Sequence, residues 1–532
     1  MRLTNTTLLA LGLVAAMGHA QTLTSTAAAN QAPIRSDTPT IHVYSRETLI
    51  DVTVTDAKDQ PVHGLKQSDF TVEEDGTPQP IRSFREFSKD PLAATPLPSK
   101  LAPNIYTNLQ PTTGPLNVLL LDYINGTSVT VARAVRFVNS LPPGTQGAVL
   151  GLGMRLTVLQ GPTADPSLLL KAVTRYVEPF AAEGSTCTLQ TLANWATLDQ
   201  LNEVATYVSG IAGRKNLIWI GVGTPSIIFP PRVIEGCDVP DVGPALRKTY
   251  DLLADAEVTV YPVDPSGVGK LTPSQLAMEA VAEATGGIAY YETNDVGNAI
   301  LKAVEAGTNY YAISYVPPSL AYDGRYHAIS IKVDRPDVHL TYRKGYSAED
   351  PIRLAHTTAS GHPESTTETH PDVLAAAMAP LAPPATKLLF NVRVGPTSEP
   401  PMPSDPPVIG ALNPKLKNTP LTRYDFLYML PQSQIAFAAA GDGTYSGSLE
   451  FEVAAFDLDG RLVTIRSQTL KLPLTNDEYK DFIATPFQFF LQLDLPPGQM
   501  TLRVGILDGV SNKIGTLEIP LTVGKGSIAA TK

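Results

Sequence analysis

From Leu116 to about Gly307, short apolar runs alternate with longer segments whose apolar residues recur every three or four positions, and this alternation constrains the fold more than any other feature. "NVLLLD", "GAVLGLG", "LTVLQ", "KNLIWIGVG" and "VTVYPVD" read as strands, with "GIAYYE" a further short one. "SVTVARAVRFVNSL", "DPSLLLKAVTRYV", "TLDQLNEVATYVSGI", "ALRKTYDLLADA", "SQLAMEAVAEAT" and "DVGNAILKAVEAG" read as helices. The order predicts an α/β doubly wound, Rossmann-like domain, a mostly parallel sheet with helices on both faces. Ligands of such sheets sit beyond the carboxyl ends of the strands, where Asp122 closes the first run.

The flanks have a different texture. "TLIDVTVTD", "DFTVEEDG" and "QPIRSFREF" alternate apolar and polar residues between turn signals, predicting a small Ig-like β-domain over 39–90. Asp69, Glu73, Glu74 and Asp75 have the look of calcium ligands but read better as a solvated turn. A Pro-rich stretch over 91–115 predicts a stiff connector. "NYYAISYVPP", "RYHAISIKV" and "VHLTYRKGY" supply edge strands, the first at an edge of the same sheet, so the α/β domain is assigned 116–347. Tyr310, Tyr311 and Tyr315 read as packing residues. The segment 348–386 is low-complexity linker; its His356, His362 and His370 lack the fixed spacing of a metal site. Alternating strands over 387–526 predict a C-terminal β-sandwich.

Arg2, an apolar core from Leu8 to Met17 and "GHA" predict a signal peptide over 1–20, followed by a flexible lead-in over 21–38. The mature chain is then exported, to the periplasm or beyond the cell, with no integral membrane segment. An oxidising compartment lets its two cysteines, Cys187 and Cys237, pair with each other; the alternative is two separate thiols. The net charge of −11, with no Lys/Arg cluster, argues against nucleic acid as a partner.

Together, "DVTVTDAKDQPVHGLKQSDFTVEEDGTPQPIRSF", "LLLD", "LPPGTQGAVLGLGMRLTVLQGPTADPSLLLKAV", "GRKNLIWIGVG" and "TYRKGY" resemble the von Willebrand factor A-related exported proteins of Acidobacteria, over about Ile41 to Tyr346. The resemblance implies a divalent cation at the top of the sheet, held by Asp-x-Ser-x-Ser, a Thr from a second loop and an Asp from a third. Asp122 fits the first position, but Ile124 and Gly126 stand where the serines belong. Thr163 offers a second-loop hydroxyl with Asp165 nearby, whereas Gly221 to Gly223 replace the third-loop Asp. Asn125, Thr127 and Ser128 carry oxygens out of register. Too few hard ligands remain to outcompete the hydration of Mg²⁺, so the site reads as degenerate, with no cofactor, and Asp122 as a strand-end carboxylate that accepts hydrogen bonds from loop amides and from Thr163 or Ser128.

Motifs for a nucleophile elbow, a zinc protease helix or a phosphate-binding loop are missing from the sequence. The reading that follows is a non-enzymatic protein-binding module whose upper loops, including Asn125, Thr127, Ser128 and Thr224, meet another exported or cell-surface protein. The alternatives are a structural component of an envelope assembly without a dedicated ligand, and a hydrolase with a site assembled from distant residues.

Overall fold

The structure is a computed structural model, which describes residues 47–88, 101–109, 114–124, 128–153, 155–175, 186–221, 242–266, 268, 273–291, 296–318, 323–348, 373–380, 382–397, 420–439 and 443–524. The signal peptide and lead-in, most of the linker and its three histidines lie outside the described residues.

At the centre runs Leu116–Asp122, buried at every position. It lies between two parallel neighbours, Gly147–Leu152 and Lys215–Ile220. Val258–Val263 continues the sheet in parallel beyond the latter, and Leu156–Thr163 closes the other side antiparallel. A single parallel bridge, Val263 to Tyr290, adds the start of a further strand from the "GIAYYE" run. Because side chains alternate along a strand, Val118 and Leu120 face one way and Leu119 and Leu121 the other. The first pair packs on Leu201 and Val204 of the helix Thr186–Val208, Leu253 of Gly243–Asp255 and Val281 of Pro273–Thr285. The second pair packs on Phe137 of Ser128–Ser140, Leu169 of Pro166–Val173 and Ala303 of Val296–Thr308. Both faces of the sheet are therefore covered, which is why its strands tolerate unbroken apolar runs.

Tyr310–Tyr315 does not extend this sheet. It pairs antiparallel with Thr48–Asp56 and Ser83–Phe87, and Val338–Thr341 completes that four-stranded sheet. A second sheet, ordered Gly345–Ser347, Tyr326–Val333, Phe70–Glu74 and Thr77–Gln79, packs against it. Ile50, Val52, Tyr311 and Ile313 from one sheet meet Phe70, Val72, Ile329 and Ile331 from the other. The expected boundaries of 39–90 and 116–347 are thus corrected: one β-unit is built from both sides of the α/β unit, which is inserted between Ser83–Phe87 and Tyr310–Tyr315. Neither half has enough strands to bury its apolar face alone.

The C-terminal strands form two more sheets around a shared core that includes Phe426, Tyr428, Phe451, Val453, Leu493 and Val504. Two segments expected to be connectors join this unit. Ile105–Thr107, from the Pro-rich stretch, pairs with Asn391–Pro396 as an edge strand. Val373–Met378, from the linker, is a helix whose Leu374 and Met378 pack on Ala454 and Phe456.

Candidate functional site

The upper end of the parallel sheet is held by three buried polar side chains, each tying down the loop that follows a strand. Asp122 is fully buried; its Oδ1 accepts from the Ile124 amide at 2.9 Å and its Oδ2 from the Trp219 indole Nε1 at 3.1 Å. The geometry follows from register. Leu121 pairs with Ile220, so Asp122 sits beside Gly221, and Trp219 projects on the same face two residues earlier. A Cβ at Gly221 would lie 2.8 Å from Asp122 Oδ2, so only glycine lets the carboxylate pack against the third strand's end. Asp264, nearly buried, receives the Ser266 amide at 2.8 Å and the Gln275 side-chain amide at 3.0 Å. Gln200 accepts the Gly153 amide at 2.8 Å and donates back to the Gly153 carbonyl. Carboxylates bonded in this way act as internal anchors, because the cost of burying them is offset by N–H donors already in place.

The structure does not bring Thr163 and Asp165 to Asp122. Asp122 pairs with Leu152, whereas Thr163 pairs with Gly147 at the other end of the same strand, roughly 17 Å away at a rise of ~3.3 Å per residue. Leu156–Thr163 runs antiparallel, so its last residue returns to the lower end of the sheet. There Thr163 Oγ1 accepts the Asp165 amide at 3.1 Å, and Asp165 caps the helix Pro166–Val173 by accepting the Ser167 amide at 2.8 Å. These are the bonds of a helix start. Of the expected loop residues, Ser128 opens the helix Ser128–Ser140, while Asn125, Thr127 and Thr224 lie outside the described residues. Cys187 falls in the helix Thr186–Val208, but Cys237 lies outside the described residues, and with it the expected pairing. Trp219 as the carboxylate's donor was not evident in the sequence, since only the strand register reveals it.

The lower end is charged. The Lys215 side chain, wholly buried, donates from Nζ to the Ile211 carbonyl at 2.6 Å. Arg214, also buried, donates to Tyr261 Oη at 2.8 Å, lies 4.8 Å from the Tyr310 ring centroid and approaches Asp51 at 3.9 Å. Glu257 pairs with Lys387 at 3.2 Å. Asp51 and Tyr310 belong to the inserted-into β-unit, while Lys387 leads into the C-terminal strands, so this end joins all three. Burial pushes the Asp51 carboxyl up to about 6 against the pull of Arg214. Burial likewise brings the Lys215 ammonium down to about 7, against Glu257. Asp251 is raised to about 6 by burial although the Ser347 amide, at 3.0 Å, favours its anion. A cavity of about 30 Å³ bordered by Asp51, Glu257 and Arg343 leaves room for little more than one water.

No protein-family model matches the chain, and no curated protein matches it either. Among solved structures it is similar to a von Willebrand factor type A protein from Catenulispora acidiphila, at 11% identity and a TM-score of 0.26, over 55% of this chain and 77% of that one. It is similar to an aerotolerance-related membrane protein from Bacteroides fragilis, at 14% identity and a TM-score of 0.26, over 37% and 98%. A third is the vWF domain of the type V pili tip protein Mfa5 from Porphyromonas gingivalis, at 10% identity and a TM-score of 0.24, over 36% and 94%. Likeness of this size assigns no function.

Proposed function

We propose that the chain is an exported, non-enzymatic recognition module in which a von Willebrand factor A-like unit, doubly wound and flanked by β-sandwiches, offers its upper loops to another exported or cell-surface protein without a metal bound at Asp122. The observation that carries this reading is the state of Asp122. Both of its oxygens already accept N–H bonds and the residue is 0% exposed, so it lacks the open, water-facing oxygen that a Mg²⁺ ligand presents. A degenerate adhesion site of this kind recognises its partner by shape and hydrogen bonds, and rigid anchoring beneath the loops lowers the ordering cost of binding. Among the described residues no helix is long and apolar enough to cross a membrane.

The test is capture of exported proteins by the full mature chain, with and without EDTA, beside the variant Asn125→Ala/Thr127→Ala/Thr224→Ala. The reading predicts a partner retained in EDTA and lost in the variant. Loss in EDTA that Mg²⁺ reverses, and that also occurs in Asp75→Asn, would overturn the metal-free reading of Asp122, and retention in the variant would favour a structural component of an envelope assembly.

A further inference from the structure

In the β-unit, far in sequence from Asp122, three side chains converge on one point. One carboxylate oxygen each of Glu74 and Asp75 and a ring nitrogen of His327 all lie within 4.8 Å of one another, the one such convergence among the described residues. His327 Nδ1 stands 2.9 Å from Asp75 Oδ2 and 3.8 Å from Glu74 Oε1. Tetrahedral zinc ligands at about 2.0–2.1 Å from the metal are roughly 3.3–3.4 Å apart, a value these two separations bracket.

Each ligand is held by its other polar atom. Glu74, 2% exposed, has its Oε2 fixed by the hydroxyls of Tyr315 and Tyr346. Its Oε1 has no hydrogen bond from the described residues and faces His327. Asp75 Oδ1 accepts the Ala328 amide at 2.9 Å, and Oδ2 turns into the cluster, at hydrogen-bond distance from His327 Nδ1. His327, 6% exposed, turns Nε2 to Asp323 Oδ1 at 3.3 Å, and its ring stacks on Tyr346. A metal-bound imidazole characteristically donates its second N–H to a carboxylate in this manner, fixing tautomer and orientation.

The geometry points to a divalent transition-metal site, Zn²⁺ foremost, ligated by Glu74, Asp75 and His327 and oriented by Asp323, Tyr315 and Tyr346. One imidazole nitrogen with two carboxylate oxygens suits Zn²⁺ better than Ca²⁺ or Mg²⁺, which prefer all-oxygen shells. The fourth position opens on the solvent side, where the Asp75 side chain is 45% exposed. The site joins the turn after Phe70–Glu74 to the start of Tyr326–Val333, segments from the two halves of the β-unit. It is independent of the reading of Asp122.

The test is isothermal titration of ZnCl₂ into the chelator-stripped mature chain, beside His327→Gln, Asp75→Asn and Asp323→Asn, with circular dichroism confirming that each variant is folded. The wild type should bind zinc saturably, His327→Gln and Asp75→Asn should lose that isotherm, and Asp323→Asn should weaken it by about 10–100-fold. Asp75 is exposed, so Asp75→Asn keeps the test valid if His327→Gln does not fold. No saturable binding in the wild type, or an isotherm unchanged in Asp75→Asn and His327→Gln, would overturn the proposal.

Discussion

The two ends of the parallel sheet solve the same problem, polar groups at strand termini, in opposite ways. At the upper end Asp122 and Asp264 are satisfied by neutral N–H donors of the α/β unit itself. At the lower end Lys215, Arg214, Glu257, Asp51 and Lys387 set charges of all three units against one another. The difference separates anchoring from attachment: the lower end ties the unit to the rest of its chain, whereas these donors to Asp122 and Asp264 come from within the unit.

The largest test of this contrast is Asp122→Ala, which leaves the Trp219 indole and the Ile124 amide without their acceptor in a closed interior. We expect a loss of about 3 kcal/mol in urea unfolding. Gly221→Ala should follow at about 2 kcal/mol, since its Cβ would sit 2.7 Å from that of Asp122 and force the strand ends apart. At the lower end, Lys215→Met should change stability at pH 7 by less than about 1 kcal/mol, because replacing a buried charge with an apolar chain of similar volume is often near neutral. Its signature is the pH profile. The folded Lys215 titrates near 7 rather than at its ordinary 10.5, so the unfolded chain binds the extra proton between these values. Wild-type stability should therefore gain a rising contribution from about pH 7 to pH 10, and urea unfolding of Lys215→Met across that range should lack it. Asp51 works with the opposite sign: its raised value makes the folded state hold the proton longer, so its contribution falls as pH climbs from about 4 to about 6. The smallest effect is expected from Asp165→Ala, which removes only an exposed helix cap; thermal unfolding should show a modest drop and divalent-cation titrations no change.

Much of the α/β unit was legible in the sequence because its signals are local. The apolar run ending in Asp122, the amphipathic period of Ser128–Ser140 and the alternation of strands and helices each lie within one segment. What was not legible depends on partners far along the chain. Tyr310–Tyr315 follows a helix like any strand of the parallel sheet, yet its partners are Thr48–Asp56 and Ser83–Phe87. Thr163 looked close to Asp122 in loop order, but an antiparallel strand carries it to the other end. The "EEDG" run reads as a solvated turn, and only pairing with Tyr326–Val333 buries Glu74 and brings in His327, 252 positions beyond Asp75. The linker histidines drew notice by composition alone.

The central claim, that Asp122 is an internal anchor rather than a metal ligand, is tested most directly through its own hydrogen-bond donor. The chain has two tryptophans, so Trp195→Phe leaves Trp219 as the only indole reporter. Titrating Mg²⁺ and Mn²⁺ into that protein should produce no saturable change in Trp219 emission. A saturable change that disappears in Asp122→Asn would show the carboxylate exchanging its indole bond for a cation, and would contradict the account.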